Sequence, residues 1–166
     1  GDGLDLGNTA TIQQLQEDLL IVRPTILVSV PRIYERVYSG IRAKLAEGPA
    51  LNRKLFKLAV DIGYSRFEHQ QGRSPGKISH LLWPILENLV AKKVMSRLGG
   101  RLRGAMSGGA ALPAEAARVF IGLGLPVLQG YGMTESSPVV CSNTFEDNVP
   151  SSVGRPIAGV EVKLGE

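Results

Sequence analysis

Two glycine-rich segments decide how this chain folds: Ser107-Gly108-Gly109-Ala110 and Gln129-Gly130-Tyr131-Gly132-Met133-Thr134-Glu135. Between them, residues 113–124 have the pattern of a helix and residues 125–128 that of a buried strand. A further strand is predicted at about residues 101–106, directly before the first segment. If the two strands are parallel neighbours, both glycine loops leave the carboxyl edge of one sheet, where open α/β folds bind ligands. The sequence therefore predicts a two-loop ligand site at a sheet edge.

The size and composition are those of a globular domain. A chain of 166 residues can bury one core, and its apolar fraction of 43% and charged fraction of 20% are ordinary. The net charge of +4 is scattered, which favours a solvated surface over a patch that attracts an anionic ligand. Aromatic residues make up only 5%, which argues against a stacking platform for nucleic acid. No nucleic-acid partner is expected.

Several features indicate a cytoplasmic location. The single cysteine, Cys141, excludes a disulfide within the chain and suits a reducing compartment. The first residues, Gly1-Asp2-Gly3-Leu4-Asp5, lack the basic and apolar regions of a signal peptide. The longest apolar run, residues 19–30, is interrupted by Arg23-Pro24 and is too short to span a membrane. Peripheral contact with a membrane stays open as an alternative.

The upstream half predicts a strand and four helices. Residues 25–30 are β-branched and nearly all apolar, as in a strand covered on both faces. The helices are predicted at residues 12–20, 31–47, 51–70 and 78–98. The apolar side chains of the last helix favour a packed helix–helix face, with a membrane-surface role as the alternative.

The downstream end predicts turns and short strands. Residues 136–148 are polar and turn-rich, while residues 153–156 and 160–164 alternate as short strands do. Because the chain starts abruptly and stops directly after a strand pattern, it is expected to be an excised piece of a longer enzyme.

A hydrolase is the first chemical alternative that the motifs raise. Residues 105–109 resemble the nucleophile elbow of α/β-hydrolases, with Ala105 in place of the first glycine. That chemistry needs an acid and then a histidine downstream of the serine. The only histidines, His69 and His80, lie upstream, so the order excludes the usual triad. The sequence contains no cluster of cysteines and histidines that would indicate a zinc site.

The second glycine segment carries groups that a turn does not require. Tyr131 offers a flat ring between two glycines, where a nucleobase has room to lie. Thr134 supplies a hydroxyl that can donate to a phosphate oxygen. Glu135 supplies a hard carboxylate of the kind that binds Mg²⁺ next to phosphates. This combination predicts a compact binding site for a nucleotide and its metal ion.

These segments resemble a known family. Residues 129–135 resemble the adenylation motif of the adenylate-forming, acyl-activating superfamily, and residues 107–112 resemble its adenine-side glycine loop. Residues 24–35, and residues 153–156 with 159–163, are similar to the long-chain fatty acyl-CoA synthetases. The resemblance covers most of residues 9–166.

The resemblance implies a particular architecture. The expected fold is a three-layer α/β fragment with a mainly parallel sheet flanked by helices. Residues 1–166 would form one fragment of the large amino-terminal, AMP-binding domain. The family's phosphate loop would precede the chain, and its ribose-binding aspartate, hinge and catalytic lysine would follow it. The isolated fragment is therefore expected to fold without turning over.

The resemblance also implies a reaction and a set of site residues. The parent would be an ATP-dependent fatty acid–CoA ligase with Mg²⁺, in which a fatty acid is adenylated and coenzyme A then displaces AMP. Catalysis would rest on positioning and charge neutralisation, with Thr134 and Glu135 as the catalytic pair. Thr134 would bond the α-phosphate and Glu135 would ligate Mg²⁺. The residues implied to bind the nucleotide are Gly108, Gly109, Ala110, Gln129, Gly130, Tyr131, Gly132 and Thr134.

Two rivals stay open at this point. The first is another acyl- or aryl-adenylate ligase, which passes its product to a different acceptor. The second is a non-catalytic nucleotide-binding module whose glycine loops only bind. The partners implied by the leading interpretation are fatty acid, ATP and coenzyme A, while acyl chain length and oligomer formation are left open.

Overall fold

The computed structural model describes residues 12–136 and 138–163. Five strands form one sheet, and most helices precede its second strand. The α-helices are α1 (Ile12–Val22), α2 (Pro31–Glu47), α3 (Ala50–Gln70), α4 (Trp83–Leu86), α5 (Lys92–Ser96) and α6 (Ala114–Gly122). The strands are β1 (Ile26–Ser29), β2 (Gly104–Ser107), β3 (Val127–Gly132), β4 (Val139–Ser142) and β5 (Arg155–Pro156).

The sheet is mixed, with strand order β1-β2-β3-β4-β5. The first three strands are parallel, and the register places Leu27 beside Ala105 and Ala105 beside Val127. The last two pairings are antiparallel, because β4 runs back along the second half of β3. The predicted α/β fold with helices flanking a sheet is confirmed, and its parallel part is the β1-β2-β3 unit that carries the first glycine loop.

The core lies between this parallel unit and helices α2 and α6. Tyr34 of α2 is almost fully buried and meets the ring of Phe120 edge-on, with 5.9 Å between ring centroids. Its hydroxyl lies 3.1 Å from the carbonyl oxygen of Leu27 and 2.8 Å from that of Met106, so it ties α2 to both β1 and β2. Burial raises the pKa of this hydroxyl well above its ordinary value. The same side chain therefore fills the core and fixes the helix on the sheet.

Helices α3 and α6 cross at a contact between two glycines. A Cβ atom on Gly63 would overlap the carbonyl oxygen of Gly122, and one on Gly122 would lie 2.5 Å from the carbonyl oxygen of Val60. Because neither glycine carries a side chain, the two backbones approach more closely than other residues allow. Trp83 of α4 closes this contact from the side and is itself buried.

The helical segment after α3 is less regular than predicted. It begins with a 3₁₀ turn at Ile78–Leu82, continues through α4, passes a π-helical turn at Glu87–Ala91 and ends with α5. The side chains of Trp83 and Leu86 are buried. Several other apolar side chains that were expected to pack are exposed, namely Leu81, Leu82, Ile85 and Leu89. The predicted packed face is thus correct only for the residues that face α3 and α6.

Three sequence-based boundaries are corrected by the structure. The strand at residues 25–30 was expected to be covered on both faces, but Ile26 and Val28 of the edge strand β1 are exposed. The turn-rich stretch 136–148 contains strand β4, which was missed. Residues 160–163 are not in a strand, and residue 164 lies outside the described residues. In the part of the chain that the structure describes, every helix is too short or too polar to cross a bilayer.

Candidate functional site

The two glycine segments meet at the carboxyl edge of the parallel strands. Strand β2 ends at Ser107, and the amide of Gly108 donates to the carbonyl oxygen of Ser29 on β1 at 3.3 Å. A Cβ atom on Gly108 would have the carbonyl oxygen of Gly130 as its nearest neighbour, at 3.9 Å. Gly109 takes a φ of +85°, with open space around the position of its missing Cβ atom. The edge therefore presents bare backbone, with Ala110 exposed beside it.

The second glycine segment is a strand where a loop was predicted. Strand β3 continues through Gln129, Gly130, Tyr131 and Gly132, and pairs with β4 over its second half. A Cβ atom on Gly132 would overlap the carbonyl oxygen of Pro138, so only glycine allows β4 to return at this point. The chain turns at Met133 and enters a 3₁₀ turn at Thr134–Ser136.

The side chain of Gln129 holds the end of the first glycine loop through a hydrogen bond. Its side chain is buried, with only 6% exposed, and its amide oxygen accepts the backbone N–H of Leu112 at 2.9 Å. Its amide nitrogen donates to the carbonyl oxygen of Pro150. Both ends of the amide are therefore bonded to backbone, and any interaction of Gln129 with a nucleotide would pass through the loops that it holds.

Asn143 provides a second brace, which the sequence did not indicate. Its side chain is buried, and its amide nitrogen lies 2.7 Å from the carbonyl oxygen of Ser152 and 3.2 Å from that of Gln129. Its amide oxygen accepts the backbone N–H of Val149 at 3.0 Å. The Asn143 side chain thus attaches the segment between β4 and β5 to β3, in addition to the bond from Gln129 to Pro150.

Asn148 extends this network toward α3. Its amide nitrogen donates to the carbonyl oxygen of Val127 at 3.2 Å, and its backbone N–H donates to the side chain of Gln71 at 2.8 Å. Asparagines in a polar, turn-rich stretch are usually solvated, so sequence reasoning had no signal for this buried pair. The tertiary structure alone shows that Asn143 and Asn148 belong to the frame of the site.

The groups predicted to meet a ligand lie together and are exposed. The ring of Tyr131 is 47% exposed on β3, and its hydroxyl lies 4.0 Å from the sulfur of Met133. Thr134 and Glu135 follow on the 3₁₀ turn, and both are exposed. Neither side chain forms a hydrogen bond or ion pair with another described residue. The ring, the hydroxyl and the carboxylate are therefore exposed within five consecutive residues, and the side chains of Thr134 and Glu135 have no partner among the described residues.

The exposed groups of this segment could bind a metal ion only together with phosphate oxygens of a nucleotide. Among residues 12–136 and 138–163, no group of three or more His, Cys, Asp or Glu side chains could form a metal site from protein alone. Glu135 offers one carboxylate at the exposed turn. Mg²⁺ is commonly held by one or two carboxylates together with phosphate oxygens and water, so this single carboxylate fits a nucleotide-bound magnesium ion.

Neither histidine is placed to act as a base for Ser107 at the start of the first glycine loop. His80 lies 3.1 Å from the hydroxyl of Ser65, and His69 lies 2.9 Å from the carbonyl oxygen of Ser74. Desolvation lowers the pKa of His80, and the nearby His69 adds to the effect. The hydroxyl of Ser107 is buried without a partner among the described residues. Since neither histidine is bonded to it, Ser107 lacks the base that a hydrolase nucleophile needs.

The sequence signature described as "AMP-binding enzyme" matches residues 6–166, which is almost the whole chain. This chain belongs to the AMP-binding enzyme family. Family membership agrees with the resemblance of residues 107–112 and 129–135, and it covers the same span of sequence.

Two relatives of this chain are named for different acyl acceptors. The long-chain-fatty-acid–CoA ligase FadD15 of Mycobacterium bovis is 32% identical over 161 residues, covering 97% of this chain and 26% of that protein. The Arabidopsis thaliana protein named long-chain-fatty-acid–[acyl-carrier-protein] ligase AEE15, chloroplastic, is 32% identical over 179 residues, covering 93% of this chain and 24% of that protein. The chain thus spans about a quarter of the length of these curated relatives.

A solved structure supports the fold. The anthranilate CoA ligase AuaEII, crystallised in complex with anthranoyl-AMP, matches with a TM-score of 0.59 and 20% sequence identity. The match covers 98% of this chain and 22% of that protein. At this identity the likeness shows that the fold is shared with an adenylate-forming CoA ligase.

Proposed function

We propose that this chain forms the adenine and acyl side of the adenylation site in a long-chain fatty acid–CoA ligase. One observation carries the proposal: Gly108 and Gly130 lie side by side at the sheet edge, with Tyr131, Thr134 and Glu135 exposed directly beyond them. Bare backbone next to an exposed aromatic ring suits a flat base, and the hydroxyl and carboxylate beyond suit its phosphates. The name of the relative FadD15 supports the same substrates, and the solved neighbour was crystallised with anthranoyl-AMP, an adenylate of the kind that the proposed first step forms.

The proposed chemistry has two balanced steps. A fatty acid carboxylate oxygen attacks the α-phosphorus of ATP, forming an O–P bond while pyrophosphate leaves. The sulfur of coenzyme A then attacks the acyl carbon, forming a C–S bond while AMP leaves with the electron pair of the broken C–O bond. Neither step needs a protein nucleophile, so this chain contributes by positioning and by neutralising charge.

Each exposed group has a defined task in this proposal. The backbone of Gly108, Gly109 and Ala110 forms the floor beside the base, and Tyr131 with Gly130 and Gly132 covers one of its faces. The Thr134 hydroxyl donates to an α-phosphate oxygen, which gains negative charge during attack. Glu135 would hold Mg²⁺, which when bound offsets the charge of the phosphates. Gln129 acts as a positioning residue, because its side chain is committed to Leu112 and Pro150.

The acyl acceptor defines the second candidate function. FadD15, named for CoA, and AEE15, named for acyl-carrier protein, are equally similar to this chain at 32% identity. Both acceptors are thiols, so the adenylation step is the same. The second candidate is therefore a ligase that transfers the same acyl group to a carrier protein.

The deciding experiment uses a longer protein that contains this chain, with ATP, Mg²⁺, palmitate and coenzyme A. We expect AMP only when the fatty acid is present, together with acyl-CoA. AMP without acyl-CoA would support the carrier-protein ligase, and no AMP would support a non-catalytic nucleotide-binding module. The 166-residue chain alone should fold without releasing pyrophosphate, since the proposal assigns the phosphate loop and catalytic lysine to other segments. Turnover by the chain alone would contradict that part.

A further inference from the structure

A cavity of about 350 Å³ lies between α2, α3 and the segment from the π-helical turn to α5. Its volume falls within the range of about 300–1,000 Å³ that is usual for small-molecule sites. Helix α2 starts at Pro31, next to the carboxyl edge of β1, and the cavity reaches Lys44 near the other end of this helix. The lining residue of α2 nearest to Pro31 is Val37, about 9 Å along the helix axis, and none of the described residues that line the cavity belongs to residues 107–112 or 129–135. The cavity is therefore not part of the proposed nucleotide site.

The wall of the cavity is apolar. It is formed mainly by the aliphatic and aromatic side chains of Val37, Ile41, Leu45, Phe56, Val94 and Leu98. Val37 and Leu98 are buried and the others are half-buried, so they make the inner surface. Asn52 also lines the cavity, but a peptide or a nucleobase would still leave most of its polar groups without partners against the apolar side chains, which is costly in free energy. The interior suits a hydrocarbon chain.

The solvent side of the cavity is cationic. Lys44, Lys93 and Arg97 line it and are all exposed, so their charges lie toward the mouth. None of their side chains forms an ion pair or hydrogen bond with another described residue, and no acidic side chain is among the described residues that line the cavity. Three unpaired cations around an apolar interior are complementary to a molecule with an anionic head and one hydrocarbon tail.

We propose that this cavity binds a fatty acid anion, with the tail among the helices and the carboxylate between Lys44, Lys93 and Arg97. A bilayer surface cannot enter a concave site of this size, whereas a single extended chain can. The site would be separate from the adenylation site and would hold the ligand without ATP. The proposal does not rest on the proposed function, because binding here requires neither nucleotide nor chemistry.

Gly40 offers a direct way to fill the cavity. It lines the cavity, and a Cβ atom at this helical position would meet no atom within 4 Å. In Gly40→Leu the new side chain can therefore occupy the cavity without overlap, and replacing a mid-helix glycine favours the helix. Ala43→Leu, at an exposed position of the same helix outside the cavity, is the matched control.

The test measures binding of dodecanoate to the 166-residue chain, without ATP and below its micelle-forming concentration, by calorimetry and by NMR of the labelled carboxyl carbon. We expect Gly40→Leu to weaken binding at least tenfold, with an unchanged or higher melting temperature, and Ala43→Leu to bind as the parent chain does. Lys93→Gln should weaken binding about threefold, as expected for one exposed charge pair, and Lys92→Gln should not. Dodecanol should bind at least tenfold more weakly than dodecanoate.

Two results would overturn the proposal. The first is an absence of dodecanoate binding, or binding that Gly40→Leu leaves intact. The second is equal binding of dodecanol and dodecanoate, which would indicate that an apolar segment of a longer protein is the natural occupant. ATP-dependent formation of AMP by a longer protein would be unaffected by either result, so failure here is distinguishable from failure of the proposed function.

Discussion

The side-chain amide of Gln129 accepts the backbone N–H of Leu112 at 2.9 Å and links two segments that are 17 residues apart. Its other end donates to the carbonyl oxygen of Pro150. One residue of the adenylation motif therefore holds the glycine loop on one side and the segment after β4 on the other. The polar groups that face solvent come afterwards in sequence, on Tyr131, Thr134 and Glu135.

Replacing Gln129 should lower the stability of the fold. Gln129→Ala leaves the buried N–H of Leu112 without a partner, so we expect the free energy of unfolding to fall by about 1–3 kcal/mol in urea denaturation. Gln70→Ala, at the exposed end of α3, should change it by less than about 0.5 kcal/mol. Equal effects of the two variants would show that the Gln129 bonds contribute little.

The stability of the fold should depend on the side-chain N–H group of Asn143, which an aspartate lacks. In Asn143→Asp a carboxylate replaces an amide nitrogen that faces the carbonyl oxygens of Gln129 and Ser152, so we expect a loss of about 3 kcal/mol in unfolding free energy. The same change at exposed Asn88, whose amide nitrogen donates to the carbonyl oxygen of Pro84, is the control. A loss at position 88 as large as at position 143 would contradict the role of burial.

The glycine contact between α3 and α6 predicts opposite outcomes for two helical glycines. Gly63→Ala places a methyl group onto the carbonyl oxygen of Gly122 and should lower the unfolding free energy by about 3 kcal/mol. Gly40→Ala meets open space, so it should raise the unfolding free energy by about 0.5–1 kcal/mol through helix propensity. Thermal denaturation of the two variants, compared with the parent chain, tests the difference in sign.

The Glu68–Arg73 pair predicts a pH dependence. A hydrogen bond from Arg73 lowers the pKa of Glu68 below its ordinary value of 4.5. Because the unfolded state then binds the proton more readily, the pair stabilises the fold above about pH 4.5 and loses this contribution as the pH falls through the lowered pKa. The pair is partly exposed, so the contribution is about 0.5 kcal/mol.

Glu68→Gln should remove that contribution. Above about pH 5 the variant should be less stable than the parent chain, and the two should converge toward pH 3. Unfolding in urea at a series of pH values measures the difference. Curves that stay parallel over this range would show that another group controls the acid transition.

Glu135 should matter for chemistry and not for folding. In a longer protein that contains the chain, Glu135→Ala should reduce fatty acid-dependent pyrophosphate release about 10²–10³-fold, the usual effect of removing one group that stabilises transition-state charge. The melting temperature should stay within about 1 °C, since the side chain is exposed and unpaired among the described residues. Glu146→Ala, also exposed, serves as control. Unfolding of the Glu135 variant would make the residue structural.

Much of the local structure could be predicted from the sequence because periodicity and backbone restriction act over a few residues. A helix was predicted at residues 31–47, and α2 confirms it with the same bounds. Gly108 and Gly109 marked a loop after a strand, which is also confirmed. The strand through Gly130 was taken for a loop, because its partner β4 lies in a stretch with the composition of turns.

Sequence alone determined the strand–loop–helix–strand unit, the family and the order of the exposed groups from Tyr131 to Glu135. Only the tertiary structure decided that Gln129 faces inward, that Asn143 and Asn148 are buried, and that a cavity with a cationic mouth lies at the far end of α2. The physical reason is that propensity and periodicity are local properties. Burial of an amide, the crossing of two helices and the sign of charge around a cavity depend on residues far apart in sequence.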